Sequence, residues 1–265
     1  MTEQTVAELA QAYGERADSY EDLWAPVLRP KGRALLDALE PDAAETFLDL
    51  GTGTGTLLGE IAEVAPRARI VAVDRSEGMI RLARGDAMRA VMDAQAIALG
   101  GETIDAGVMA FVIFTVPDPP GVLAEVHRVL RPGARFGVAT WGDEPDVPAD
   151  AVWTEELAEA GADADPVTAI NRRDITDTPE KLSALFAAAG FTDVRTWTDR
   201  LDLIWKPDDY IRFISAGGPT RRRLDTLDPT DQKRCLDRVR ARLTDLGPDD
   251  LAERSEIVYA IGIRP

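Results

Sequence analysis

The sequence predicts an α/β fold built on a doubly wound, mainly parallel sheet. Three observations carry that expectation. An apolar run at 46–50 passes directly into glycines at 51, 53 and 55, which is how a buried strand turns into a helix through a segment stripped of side chains. From 46 onward strand-like and helix-like patterns alternate, and such alternation places helices on both faces of a parallel sheet. Two further strands each stop at an acid, Asp74 and Asp93, and ligands of such sheets sit beyond the carboxyl ends of the strands.

The elements follow in order. Helical periodicity runs over 3–14 and 26–40, with Leu9, Tyr13, Leu28, Leu35, Leu36 and Leu39 on the apolar stripes. Strand one is 46–50, and the helix after Gly55 carries Leu57, Leu58, Ile61 and Val64. Strand two is 68–73. Ser76 caps the next helix, which holds Met79, Ile80 and Leu82. A short strand three covers 90–92 and strand four 105–112. Asp118 followed by Pro119 opens a helix with Val122, Val126, Val129 and Leu130. The turn Arg131-Pro132-Gly133-Ala134 leads into strand five, 135–140. A helix starts at Thr178-Pro179 and stops at Gly190, followed by strand six over 191–198 and strand seven over 255–263. The expected division is an N-terminal helical cap at 1–45, core at 46–141, 178–199 and 255–265, and insertions at 142–177 and 200–254 that break the rhythm.

Composition narrows the function. The chain has 265 residues and a formal net charge of −17, a surface that repels phosphate backbones and anionic lipid, so neither nucleic acid nor membrane is the expected partner. The single cysteine, Cys235, rules out an intramolecular disulfide and argues against structural zinc; no metal is expected. The acidic start lacks a signal pattern and no uncharged apolar run approaches a membrane span. The expected location is cytoplasmic.

Spacing makes the turn specific. Asp49-Leu50-Gly51-Thr52-Gly53-Thr54-Gly55 is an acid-led G-x-G-x-G, with Thr56 where a dinucleotide turn would place its third glycine. The stretch resembles motif I of the class I S-adenosylmethionine-dependent methyltransferases. Val73-Asp74, Met92-Asp93-Ala94 and Ile104-Asp105 fall in that family's order. Glu125-Val126-His127-Arg128-Val129-Leu130-Arg131-Pro132-Gly133 is similar to the E-x-x-R-V-L-x-P-G segment of small-molecule methyltransferases of the ubiquinone-biosynthesis type. Residues 13–20 resemble the family's N-terminal A-x-x-Y segment. The resemblance does not reach 142–177 or 200–254.

It implies a Rossmann-like, seven-stranded sheet, mostly parallel with the last strand antiparallel. Both insertions then leave and return at the carboxyl edge, where they and the N-terminal helices form a lid. It implies S-adenosylmethionine as cofactor and a small-molecule methyl acceptor as partner. Asp49 would accept from the methionine ammonium, or cap the turn. Gly51, Thr52, Gly53 and Gly55 would admit the ligand to the backbone. Asp74 would hold the ribose hydroxyls, Arg75 would lie along the adenine, and Asp93-Ala94 would meet its amino group, unless Asp93 caps a helix over 94–99. Tyr20, and more weakly Tyr13, would approach the cofactor carboxylate, and Phe111 would face the reaction centre, with core packing as the alternative for each.

A sulfonium methyl is already activated, so transfer to O or C needs mainly in-line alignment. The one histidine, His127, lies in the E-x-x-R helix, away from the expected site, and no catalytic base is assigned. For the acceptor, expected to be a natural-product intermediate, Trp24, Trp141, Trp153, Trp205, Tyr210 and Phe213 are candidates by their place in lid segments, or they pack the lid itself. Residues 200–254 hold 12 basic and 11 acidic residues, including Arg221-Arg222-Arg223. That run would suit an anionic acceptor, or would face solvent or a second copy of the chain. The helix from Asp228, with Leu236, Val239, Leu243 and Leu246 on one stripe, would cover the pocket or make a homodimer contact. Competing readings are a cofactor-binding relative that transfers no methyl, such as a cofactor-assisted cyclase or a regulator, and a nicotinamide oxidoreductase, which the turn spacing disfavours.

Overall fold

Seven strands hydrogen-bond into one sheet in the order β3-β2-β1-β4-β5-β7-β6 in the computed structural model. It describes residues 3–15, 17–143, 145, 147–165 and 172–265, without the side chains of 3–6, 15 and 19. Parts of the N-terminal 13–20 segment and of the 142–177 insertion therefore lie outside the described residues. The strands are β1 Thr46–Leu50, β2 Arg69–Asp74, β3 Met88–Val91, β4 Ile104–Ala110, β5 Leu130–Trp141, β6 Thr192–Ile204 and β7 Ala252–Ile263. β1 pairs in parallel with β2 and β4, and β7 runs antiparallel to β5 from Arg135↔Ile263 to Trp141↔Ile257. The expected sheet, with its reversed last strand, is the one observed.

β1 is buried at all five positions, as a strand covered on both faces must be. Sheet order reverses at β1 and β4: β2 and β3 lie on one side, β5, β7 and β6 on the other. The switch point thus falls at the end of β1, where the glycine turn begins. One face packs against α6 (Pro119–Val129) and α8 (Pro179–Ala188), with Leu48, Leu50, Met109, Val122, Val126, Phe136, Leu182 and Phe186 in a common core. The E-x-x-R segment ties that layer together: Arg128 donates to the carbonyls of Ile97 and Leu99 and to Glu125, which accepts from the Ile97 N–H.

Helix starts follow their capping residues. Ser76 accepts from the Met79 N–H ahead of α5 (Glu77–Leu82), and Thr178 from the Lys181 N–H ahead of α8. Asp228 accepts from the N–H groups of Thr230 and Asp231 ahead of α11 (Pro229–Thr244).

Several boundaries differ from expectation. The N-terminal region forms three helices, α1 Glu3–Glu15, α2 Ala17–Leu23 and α3 Ala25–Leu39, and α3 runs through Pro30. The helix after the glycine turn, α4, is short, Leu58–Val64. Residues 94–99 form no helix; Asp93 instead makes an isolated bridge with Ala96. β6 is longer than expected, running on to Ile204.

The chain divides into two compact units, one comprising Met1–Asp143, Ile170–Asp199 and Ile257–Pro265, the other Glu144–Ala169 and Arg200–Glu256. The second unit has its own apolar core. It comes from α7 (Pro148–Glu159), α9 (Pro207–Ala216), α10 (Gly218–Leu224) and α11, with Trp153, Tyr210, Leu224, Cys235, Val239 and Leu243 buried. Among the described residues no helix is long and apolar enough to cross a membrane.

Candidate active site

The carboxyl edge of the first unit carries a pocket lined by Asp49, Gly51, Thr52, Gly53, Asp74, Arg75, Asp93, Ala94 and Phe111. Local geometry explains how they converge. The Gly51 and Thr52 N–H groups donate to the Val73 carbonyl at 2.7 and 2.9 Å, which folds the turn back over β2. Gly51, Gly53 and Gly55 have φ of +79°, +56° and +82°, values that L side chains rarely adopt. A Cβ on Gly51 would also meet Val112 at 2.4 Å, whereas one on Gly53 would meet only the Tyr20 ring, at 4.0 Å. The turn is packed tightly beneath and left open above.

Each acid has a defined setting. Asp49 is 3% exposed and accepts from the Thr52 hydroxyl at 2.6 Å. Burial, helped by the charge of Asp74 and opposed by the Thr52 bond, pushes its pKa up to about 6. Asp74 accepts from the Gly53 N–H at 2.9 Å and the Ser76 N–H at 2.8 Å. Burial outweighs those bonds and raises its pKa too. Asp93 accepts from Arg75 at 2.8 Å and from the Gln95 N–H at 3.0 Å. Its alternative as a helix cap falls away because no helix follows it.

The N-terminal helices supply one wall. Leu9, Ala10 and Tyr13 of α1, Tyr20 of α2, and Leu28 and Gly32 of α3 line the pocket. Glu21 accepts from the Thr54 hydroxyl, joining α2 to the glycine turn. Tyr13 and Tyr20 meet edge to face at 6.3 Å, and burial first, then neighbouring charge, raises the Tyr20 phenol. Leu9 and Leu28, expected as core stripes, line the pocket instead, since periodicity reports burial and not what the buried face surrounds. Met79, Met92, Val112 and Val116 also line the pocket, with no signal beyond their hydrophobicity.

The remaining residues divide. Gly55 packs beneath the turn, where a Cβ would meet Leu58 and Arg84. Trp24 joins α2 to α3, accepting from the Leu28 N–H through its carbonyl. Trp141 closes β5 with its ring 5.2 Å from Phe111. Trp153, Trp205 and Tyr210 belong to the second unit's own core, and the buried Phe213 packs 4.3 Å from Trp205, which lies 6.1 Å from Tyr210, whose hydroxyl donates to Asp150. Arg221-Arg222-Arg223 forms neither an open patch nor a wholly solvated run. Arg222 forks onto the buried Asp165 at 2.8 and 2.6 Å, Arg221 pairs with Asp225 and Arg223 donates to the Asp163 carbonyl, because a guanidinium fork matches a carboxylate pinned beside it. His127 packs at 5.3 Å against Phe191, away from the pocket, and burial together with Arg264 lowers its pKa.

Comparison with known proteins agrees with this edge. A family model described as a methyltransferase domain matches residues 48–138. An uncharacterized methyltransferase of Mycobacterium tuberculosis is 32% identical over 182 residues, covering 67% of this chain and 68% of its own. The nocamycin O-methyltransferase of Saccharothrix syringae is 28% identical over 71% of this chain and 73% of its own. The YcgJ protein of Bacillus subtilis superposes with a TM-score of 0.57 at 17% identity, covering 87% of this chain and 96% of its own. Other curated relatives are matched over only about half of their own length. With the relative from Mycobacterium tuberculosis matched over two thirds of both chains, and the glycine turn and E-x-x-R segment inside the matched domain, the chain belongs to the class I S-adenosylmethionine-dependent methyltransferases.

Proposed function

We propose that the protein transfers the methyl group of S-adenosylmethionine to oxygen or carbon of a small natural-product intermediate. The observation that carries the reading is the convergence of Asp49, Asp74 and Asp93, from the ends of three neighbouring strands, on one pocket. The residues fit a cationic, ribosylated ligand. Asp49 offers a buried carboxylate for an ammonium, Asp74 has a carboxylate for paired hydroxyls, and the open face of Gly53 leaves room for close approach. Tyr20, Thr52, Arg75 and Ala94 complete the cofactor set, Phe111 faces the reaction centre between cofactor and acceptor, and Gly51 and Gly55 shape the turn. Residues 1–45 act as the cap, and 46–141 with 178–199 and 255–265 hold the cofactor.

When bound, the cofactor supplies an activated methyl on sulfur. The chain's own part is to hold charges, exclude water and fix the approach line, worth several orders of magnitude in rate when reacting atoms are aligned. His127 lies away from the pocket, so the reading assigns no histidine base and favours an acceptor that ionises readily. The nocamycin O-methyltransferase supports a small natural-product acceptor.

The placement of His127 also favours a second reading, a cofactor-binding protein that transfers no methyl. Labelled cofactor offered with a panel of phenolic and polyketide-like acceptors separates the two: label on an acceptor supports transfer, and none on any member supports the second. Tight NADH binding without S-adenosylmethionine binding would overturn both. Cytoplasmic location and a homodimer are parts of the proposal that fractionation and sedimentation test.

A further inference from the structure

We propose that Phe111 is the surface on which a planar, π-rich acceptor docks; the inference rests on the methyltransferase reading and names its acceptor chemistry. β4 ends at Ala110, and Phe111 follows with φ of +60°. A bulky residue rarely adopts that region, and residues held there collect at ligand sites. The backbone is locked as well, since the Phe111 N–H donates to the Ala139 carbonyl of β5 at 2.7 Å. From this position Phe111 joins the pocket lining beside Val112 and Thr115.

The rings outside the lining buttress it. Trp141 lies 5.2 Å from Phe111 at an interplanar angle of 52° and is 9% exposed. The Arg173 guanidinium lies 5.7 Å from the Trp141 ring and 5.7 Å from Phe114, within cation–π range of both. The turn carrying Arg173 is tied to the same edge, because Arg172 donates from its N–H to the Phe114 carbonyl at 2.8 Å and from its guanidinium to the Pro117 carbonyl at 2.9 Å. A cluster that only filled the core would not need its pocket-facing ring on a strained backbone held by a hydrogen bond to the next strand. A fixed aromatic wall rewards an acceptor that presents a π face or edge, and gives a saturated acceptor no more than a leucine would.

The test is calorimetry on the full chain, saturated with S-adenosylhomocysteine, comparing 2-naphthol with decahydro-2-naphthol, the same skeleton without π electrons. The expected preference for 2-naphthol is about fivefold, the scale an aromatic pair adds beyond area burial. Phe111→Gly, whose backbone conformation glycine already accommodates, should abolish the preference, and Phe111→Tyr should keep it. Trp141→Leu should reduce it while leaving S-adenosylhomocysteine affinity unchanged. Thermal melts identify a variant that fails to fold, and Phe111→Leu then replaces Phe111→Gly. Equal binding of the two probes, no binding of 2-naphthol, or full preference in the ring-deleted variant would overturn the proposal. Failure of the wild-type protein to bind S-adenosylhomocysteine would overturn the cofactor reading instead.

Discussion

The pocket edge of the first unit and the interior of the second use similar residues to opposite ends. At the pocket edge the buried Asp49 and the half-buried Asp74 are held by a hydroxyl and by backbone N–H groups, with no ion pair to either among the described residues, and desolvation raises both pKa values. In the second unit the buried Glu156 accepts from Arg238 at 2.5 Å and from Arg242 at 2.9 Å. There too burial opposes ionisation, but the bonds from Arg242 and Arg238 outweigh it and lower the pKa. Aromatic residues divide in the same way: Phe111 faces a pocket, while Tyr210 and Trp153 fill a core. A buried acid without a cation is costly and persists where a ligand can supply the missing charge; a buried acid gripped by two arginines is part of the frame.

The sharpest way to break that contrast is Asp74→Ala. It removes two charge-assisted acceptor positions for the ligand, so calorimetry should find cofactor binding weakened by about 2–4 kcal/mol. Unchanged affinity would place the ligand elsewhere. In the second unit Glu156→Gln should leave the cofactor affinity alone and lower unfolding free energy by about 2 kcal/mol, below the range for a fully buried pair because both arginines are partly exposed. Denaturant titration would measure it. A loss of cofactor affinity with no loss of stability would sink the distinction between site and frame.

Acidity probes the contrast more finely. Asp49 has a folded pKa near 6, above its unfolded value, so the stability linked to its bound proton is full below the unfolded pKa and is lost as pH rises through about 6. A cationic ligand prefers the ionised carboxylate. Cofactor affinity should therefore fall by about tenfold from pH 7 to pH 5, and Asp49→Asn should flatten that part of the profile. Glu156, with its pKa depressed, stabilises above its unfolded pKa and loses that contribution as pH falls through the folded one. The smallest expected effect is Lys233→Ala. It removes an exposed i,i+4 pair with Asp237, and denaturant titration should find the unfolding midpoint unchanged within error.

Much of the site was legible because it is local. Asp49, Gly51 and Gly53 are neighbours in sequence, and Asp74 and Asp93 announce themselves by ending apolar strands, so their convergence follows once the strands are parallel. The N-terminal wall was legible as helix and not as pocket. Leu9 and Leu28 carry the same stripe whether they cover a core or a cavity. Trp153, Tyr210 and Phe213 were legible as aromatic, with acceptor contact and lid packing both open, and their burial decides for packing. The Arg221–Arg223 run was legible as charge, while Asp165, which takes up Arg222, lies 57 residues earlier.

By itself the sequence determined the sheet, its reversed last strand as the family resemblance implied it, the glycine turn and the three acids, because each depends on backbone conformation or strand termination within a few residues. Tertiary structure alone decided which charges stay open to a pocket and which are consumed by pairing. It also decided that Phe111 sits on a left-handed backbone with Trp141 beside it. Those outcomes depend on distances between residues far apart in the chain, and a side chain's burial or pairing is settled only when its distant neighbours are in place.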